Sequence, residues 1–316
     1  VHAVTDPQLA HTEDWGRMYA RTRGGVPVVP SITTVLDVLS QDMEWWEALC
    51  AVRLAMDHAE RLVDVKQMRD GPERWDRERK AKDWLMGAAD RDRDDAAERG
   101  DFVHNYAETF ALYSMNQATA DDLAHQQTLC EKAGVMDYVA NFHAFWLDYC
   151  PRPLQPEATV WNSTVGYAGT TDLICEIEVD GDLVLVCLDW KTKRGLHKRN
   201  GQPKEKDLRD FTGMQLAAAA FAEEVWLPGA TPATDTWMPF PFQVEVGLAV
   251  ALAPDGYVVR QYPIHNPLYW ETFVSLARAW KFKRGGEALM SGRLSGPSSI
   301  ERLNTPRLAP AVSGLR

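Results

Sequence analysis

The feature that most constrains this chain is the dipeptide Asp180-Gly181, set between two runs rich in aliphatic and β-branched residues, 168–179 and 183–190. Asp-Gly between such runs signals a two-residue β-hairpin, because both central positions of the favoured turn need positive φ. With Val179 facing Asp182, each step back along one strand meets a step forward along the other, and Asp172 comes to face Asp189. A four-residue loop keeps that register; only an odd loop or a bulge breaks it. Side chains alternate along a strand, so Lys191 shares the side of Asp189. Leu173, Cys175, Ile177, Val184, Val186, Leu188 and Trp190 then form an apolar face turned to a core.

Two carboxylates facing each other across neighbouring strands repel unless a cation lies between them. Oxygen ligands of this kind suit Mg²⁺ or Mn²⁺, and Lys191 stands where it can position a water or a phosphate. Taken alone, the cluster reads more readily as the solvated end of a surface hairpin.

The rest of the chain frames this hairpin. Residues 1–30 carry Gly24-Gly25 and prolines and are expected to form an irregular arm. Ser31 follows Pro30 as a helix N-cap, and residues 31–150 read as successive helices, with a solvated face over the mixed-charge stretch 66–99. Residues 151–290 turn to strands at 158–162, 168–179 and 183–190. A basic loop, an Ala-rich helix near 207–225, a Pro-rich loop at 228–241, strands at 243–253 and 257–264, and a helix from 267 to about 283 follow. Residues 291–316 read as a tail. The expectation is an α/β fold with a mixed central sheet flanked by helices and an N-terminal helical elaboration.

Composition narrows the function classes. The formal charge of −11 argues against a protein that coats nucleic acid with its whole surface, since such binding works by neutralising phosphates. Charge is nevertheless confined locally: Lys191, Lys193, Arg194, Lys198, Arg199, Lys204, Lys206 and Arg209 meet only two acids between 191 and 209, a natural phosphate track. Five widely spaced cysteines with no C-x-x-C pair suit buried thiols and give a zinc or iron–sulfur site little support. No apolar run is long enough to span a membrane and no secretory signal opens the chain, so the expectation is an intracellular, cytoplasmic protein of a bacterium or a phage-infected cell.

Four ordered blocks carry a resemblance: Arg99-Gly100-Asp101-Phe102-Val103-His104 with Glu108, Gly169-Thr170-Thr171-Asp172, Leu188-Asp189-Trp190-Lys191-Thr192, and Gln215-Leu216-Ala217-Ala218. In this order and spacing they resemble the RecB-like branch of the PD-(D/E)XK nucleases, particularly the phage and CRISPR-associated exonucleases. The segment from Val29 to Leu36, followed by Trp45-Trp46, resembles the N-terminal region of the phage members. The resemblance implies a restriction-endonuclease-like core in residues 151–290. It makes His104, Asp172, Asp189 and the Trp190 carbonyl ligands of Mg²⁺ or Mn²⁺, Lys191 the catalytic lysine, and Gln215 a contact of that lysine or of DNA. Glu108, one helical turn beyond His104, could orient the site.

Two departures qualify the resemblance. Ala219 stands where the family places a tyrosine, and no cysteine follows Cys187, so no iron–sulfur cluster is expected. The implied activity is hydrolysis of DNA phosphodiesters by metal-activated water, acting from an end in phage or bacterial DNA processing. The main alternative is a DNA-binding recombination accessory protein without turnover on the same fold. DNA is the expected partner, with no membrane, and a homo-oligomer or a phage recombination partner is left open.

Overall fold

The structure is a computed structural model that describes residues 8–285, apart from 40–43, 199, 205–207, 209 and 230. The expected tail, and Arg199, Lys206 and Arg209 of the basic segment, lie outside the described residues.

The N-terminal arm is not irregular where it is described. Strands β1 (Ala10–Glu13), β2 (Gly16–Tyr19) and β3 (Val29–Pro30) form a small antiparallel sheet in that order. Elements of two to four residues are too short to show a period, which is why pattern reading passed over them. Tertiary packing sustains them: Leu9 and Tyr19 are buried against Trp161, Ala168 and Trp226.

Helix α1 (Ile32–Leu36) starts as expected at Ser31, whose hydroxyl accepts the Thr34 N–H at 2.9 Å. Helices α2 (Glu44–Asp57), α3 (Ala59–Gln67), α4 (Pro72–Met86), α5 (Ala88–Ser114), α6 (Ala120–Ala133) and α7 (Met136–Tyr149) complete the helical region. In α4 only Ala81 is buried, and its charges pair along the exposed surface, as Glu73–Arg77 and Asp76–Lys80 do, which adds little stability. Helix α5 differs. Val103, Tyr106, Ala107 and Ala111 form a buried stripe that docks the helix on the sheet and fixes the height of His104.

Strands β4 (Arg152–Asn162), β5 (Tyr167–Val179) and β6 (Asp182–Thr192) form an antiparallel meander. The β5–β6 turn is the expected one, with φ of 53° at Asp180 and 92° at Gly181 and Val179 paired with Asp182. Strand β4 begins earlier than the sequence suggests. Its prolines fall in the half that pairs with β5 alone, where a missing N–H breaks no second ladder.

Helix α8 (Thr212–Ala220), strands β7 (Glu224–Leu227), β8 (Thr236–Pro239), β9 (Val246–Ala253) and β10 (Gly256–Tyr262), and helix α9 (Pro267–Gly285) follow. The Pro-rich stretch read as a loop thus contains β8, an edge strand, where proline is tolerated. Seven strands order as β10-β9-β6-β5-β4-β7-β8, all antiparallel except β6 with β9, so the sheet is mixed.

Each sheet face carries its own core. Leu173, Cys175, Ile177, Val186, Leu188 and Trp190 pack against α5, α6 and α7, the apolar face that alternation predicts, with Val184 at its margin. Burying one such side chain contributes about 1.5–3 kcal/mol. The other face packs on α1, α8 and α9 through small side chains, including Ala249 and Ala251 of β9 against Ala217 and Ala218 of α8. No described helix is long and apolar enough to cross a membrane.

Candidate active site

The site lies where β5 and β6 part. Their ladder runs as the hairpin dictates as far as Leu173↔Leu188 and stops one pair short of Asp172 and Asp189. The expected direct pairing of those carboxylates therefore fails, and side-chain directions show why. Tyr167 and Thr171 face α8: the Tyr167 hydroxyl donates to the Ala218 carbonyl, and the Thr171 hydroxyl lies 3.0 Å from the Cys187 sulfur. Leu173 and Cys175 face α5 and α7. All four are odd-numbered, so the alternation slips by one residue between Thr171 and Leu173, while the register with β4 is the same on either side of it. Asp172, at the slip, accepts the Trp190 N–H at 2.6 Å in place of a backbone partner.

The slip turns Asp172 toward α5, where its Oδ1 lies 3.5 Å from His104 Nδ1. Across from it on β4 stands Glu157, between the pairs Pro156↔Leu173 and Ala158↔Thr171 and with φ of 43°. Ligand atoms of His104, Glu157 and Asp172 all lie within 4.8 Å of one another. Glu157 was missed from sequence because its strand was expected to begin one residue later, at Ala158. Counting back from Asp172 across an antiparallel partner is the signal that finds it.

Asp189 stays on the α8 side. Lys191 Nζ sits 2.9 and 2.7 Å from its two oxygens, and Gln215 Nε2 donates to Oδ1 at 2.8 Å. Gln215 Oε1 in turn accepts from Lys191 at 3.3 Å, closing a triangle of side chains from β6 and α8. The Trp190 ring is wedged against Phe142 and Phe145, with ring centres 5.1 and 5.3 Å away. That anchor and the N–H given to Asp172 hold the backbone between the two acids.

Both groups open on one cavity of about 640 Å³, whose lining also includes Arg17 of β2, Thr33 of α1, and Asp101 and Asn105 of α5. Its electrostatics are unbalanced. Burial, helped by Asp172, Glu108 and Asp189, holds the Glu157 carboxyl well above the usual carboxylate range. Burial also lifts Asp189, with Lys191 opposing and Asp172 reinforcing. For Asp172 burial works upward, but His104, Lys191 and the Trp190 N–H outweigh it and hold the carboxyl below its ordinary value. His104 is the mirror case: burial would lower it, but Asp172 carries it above the histidine norm.

The donor set fits a divalent cation. One imidazole and two carboxylates converge, and 3.5 Å between Nδ1 and Oδ1 suits two ligands each about 2.1 Å from one ion. Such a mixed set lies between the all-oxygen shell of Mg²⁺ and nitrogen-rich zinc sites, and favours Mn²⁺.

The remaining expected residues are distributed unevenly. Glu108 is buried beneath the cavity and does not line it; its charge reaches the site through Glu157. In the basic segment the Lys193 N–H donates to Leu252, Arg194 pairs with Asp92 of α5, and Lys204 Nζ donates to the Gly195 carbonyl. A bridge between His197 and Pro203 makes this segment a small hairpin. Asp255, in the β9–β10 turn, clamps it by accepting the Leu196 and His197 N–H groups and lying 2.9 Å from His197 Nδ1. Four of the five cysteines are buried and one, Cys150, is exposed; all are free thiols.

No protein-family model matches this chain, and no curated protein is significantly similar to it. Among solved structures, one described as the crystal structure of SSO0001 aligns with 58% of this chain and 75% of its own, at 14% identity and a TM-score of 0.27. A likeness that weak carries no argument.

Proposed function

We propose that this chain is a metal-dependent deoxyribonuclease of the RecB-like exonuclease type, built on a PD-(D/E)XK core. One observation carries the reading: His104, Glu157 and Asp172 converge within 4.8 Å beside the Asp189–Lys191–Gln215 triangle in a single cavity. His104, Glu157 and Asp172 would hold the ion, with Asp189 close beside it. When bound, a divalent cation offsets the charge that builds on a phosphodiester and acidifies water. The chain's own residues supply orientation. Trp190 N–H fixes one Asp172 oxygen so that the other faces the ligand cluster, and Gln215 steers the Lys191 ammonium toward Asp189. A phosphate entering the cavity competes with Asp189 for that ammonium, which sets Lys191 against the scissile group.

The test is digestion of end-labelled linear DNA and closed circular DNA with Mn²⁺, Mg²⁺ or EDTA. Metal-dependent loss of linear DNA with circles spared supports an exonuclease. Binding of DNA with no product in any metal points instead to the accessory protein without turnover.

A further inference from the structure

Beside α1, whose adjacent residues Thr33 and Thr34 line the catalytic cavity and this second space respectively, lies a smaller cleft of about 260 Å³, lined by residues that include Asp14, Trp15, Thr34, Asp37, Trp280 and Lys283. Three features of Trp15 are unusual. It occupies one of the two tip positions of the β1–β2 turn, since Glu13 pairs with Gly16. Turn tips favour Gly, Asn, Asp and Ser, so local chemistry does not call for an indole there. It is also 48% exposed, although the turn is held rigidly against α1: Gly16 has φ of 101°, and a Cβ on it would lie 2.8 Å from Thr34 Oγ1. A large apolar ring thus stands in solvent on a fixed mount. Trp280 of α9 is by contrast 7% exposed and forms a wall, with the Arg284 guanidinium 5.5 Å from its ring centre.

We propose that this cleft is a subsite for one unpaired nucleobase of the DNA strand that enters the catalytic cavity, an inference that rests on the nuclease reading. Its size, just below the range used by drug-sized ligands, suits a single planar ring system rather than a length of chain. Its chemistry selects the base over the phosphate. The indole offers a stacking face, the Asp14 and Asp37 carboxylates accept from base N–H groups and repel phosphate, and Lys283 at the rim attracts the backbone outside. Its position links it to the cavity by two routes. Arg17, two residues beyond Trp15 on β2, lines the catalytic cavity, and Thr33 of α1 does so while its neighbour Thr34 lines the cleft. A strand whose phosphate lies by Arg17 can therefore place a neighbouring base against Trp15.

The experiment is an oligonucleotide titration in EDTA, so that nothing is cut, followed by tryptophan fluorescence. Short oligo-dC is compared with an abasic deoxyribose-phosphate chain of equal length and charge, on the wild-type protein and on Trp15→Ala and Trp15→Phe. The expected result is quenching by oligo-dC that is reduced in both variants, which lack the Trp15 indole. Affinity for oligo-dC, read in parallel from the anisotropy of a 5′-labelled oligonucleotide, should fall about five- to a hundredfold in Trp15→Ala and recover in Trp15→Phe, whose ring still stacks. The abasic chain should bind wild type and Trp15→Ala alike. In cleavage assays with Mn²⁺, Trp15→Ala should raise KM and leave kcat unchanged. Equal oligo-dC affinity of wild type and Trp15→Ala, or an abasic chain bound as tightly as oligo-dC, overturns the subsite. Trp15-dependent binding with no cleavage in any metal would overturn the nuclease reading and leave the subsite standing. Cleavage with a KM indifferent to Trp15 would do the reverse.

Discussion

The two sides of the sheet at the β5–β6 divergence handle charge in opposite ways. On the α5 side, His104 faces Asp172 and Glu157 with no permanent cation among the three, and burial with the neighbouring acids holds the Glu157 carboxyl well above its usual range. On the α8 side, Asp189 has its own cation in Lys191 and a further donor in Gln215, although burial still lifts its carboxyl. The first arrangement has no permanent cation of its own, and the second has one in Lys191. Metal dependence should therefore reside on the α5 side and substrate positioning on the α8 side.

The sharpest way to break this division is to delete one charged group from each side. Asp172→Ala should lose metal binding and cleavage together, whereas Lys191→Ala should keep metal binding and lose about a hundred- to a thousandfold in turnover, the scale of one preorganised electrostatic interaction. Asp189→Ala should also abolish cleavage, since it removes both the acid beside the metal and the anchor of Lys191. Calorimetric Mn²⁺ titration beside the digestion assay separates these outcomes. Normal metal affinity in Asp172→Ala would end the proposed asymmetry.

Glu157→Gln sharpens the same contrast with a smaller expected effect. A carboxyl whose folded pKa is raised favours the fold below its unfolded value, and that contribution is lost as pH rises toward the folded pKa. The variant should therefore hold or raise the metal-free Tm at neutral pH, flatten its fall above about pH 5, and lose most of the Tm gained with Mn²⁺. Thermal melts with and without metal read all three, and an unchanged metal-induced shift would remove Glu157 from the ligand set.

Further from the His104–Glu157–Asp172 cluster, Lys198→Ala with Lys204→Ala should weaken DNA binding and reduce its salt dependence by about 0.7–0.9 log units of slope for each phosphate that is no longer neutralised. Turnover at saturating DNA should change much less. A double variant that is inactive at saturating substrate, with its slope unchanged, would make the hairpin part of the site.

The smallest effect belongs to the Asp255 clamp. Burial works to raise this carboxyl, but the Leu196 and His197 N–H groups and the His197 ring hold it at about 2. Its contribution to stability is thus full above the unfolded value of about 3.9 and fades as pH falls toward 2. Solvent screening trims it, as the side chain is 37% exposed. Asp255→Asn should lower Tm slightly at pH 6 and converge with wild type in acid. A gap that persists at pH 2 would show the clamp acts by shape and not by charge.

Much of this molecule was legible before any coordinates. The Asp180-Gly181 turn set the hairpin, the alternation from Leu173 and from Val184 set the apolar face, and Ser31 set the start of α1, because each depends on residues a few positions apart. Residues separated by many positions were less accessible: Gln215 reaches Lys191 and Asp189 only because α8 packs its alanines closely on β9 and β6. Gly169 shows the same dependence, since a Cβ there would lie 2.5 Å from Ile32 Cδ1, and its absence lets α1 settle onto β5 beside the site.

What the sequence by itself determined was therefore the local grammar of strands, turn and caps, and a candidate set of Asp172, Asp189, Lys191 and, through the resemblance, His104. Only the tertiary structure decided how they combine. The slip at Asp172 sends that side chain to α5 while Asp189 remains with α8, and it brings in Glu157 from a strand whose start had been hidden by prolines. The physical reason is that alternation is a property of one backbone, readable from its own residues. A slip is decided between backbones, where an exchanged hydrogen bond, here Trp190 N–H to Asp172, settles which way a side chain turns.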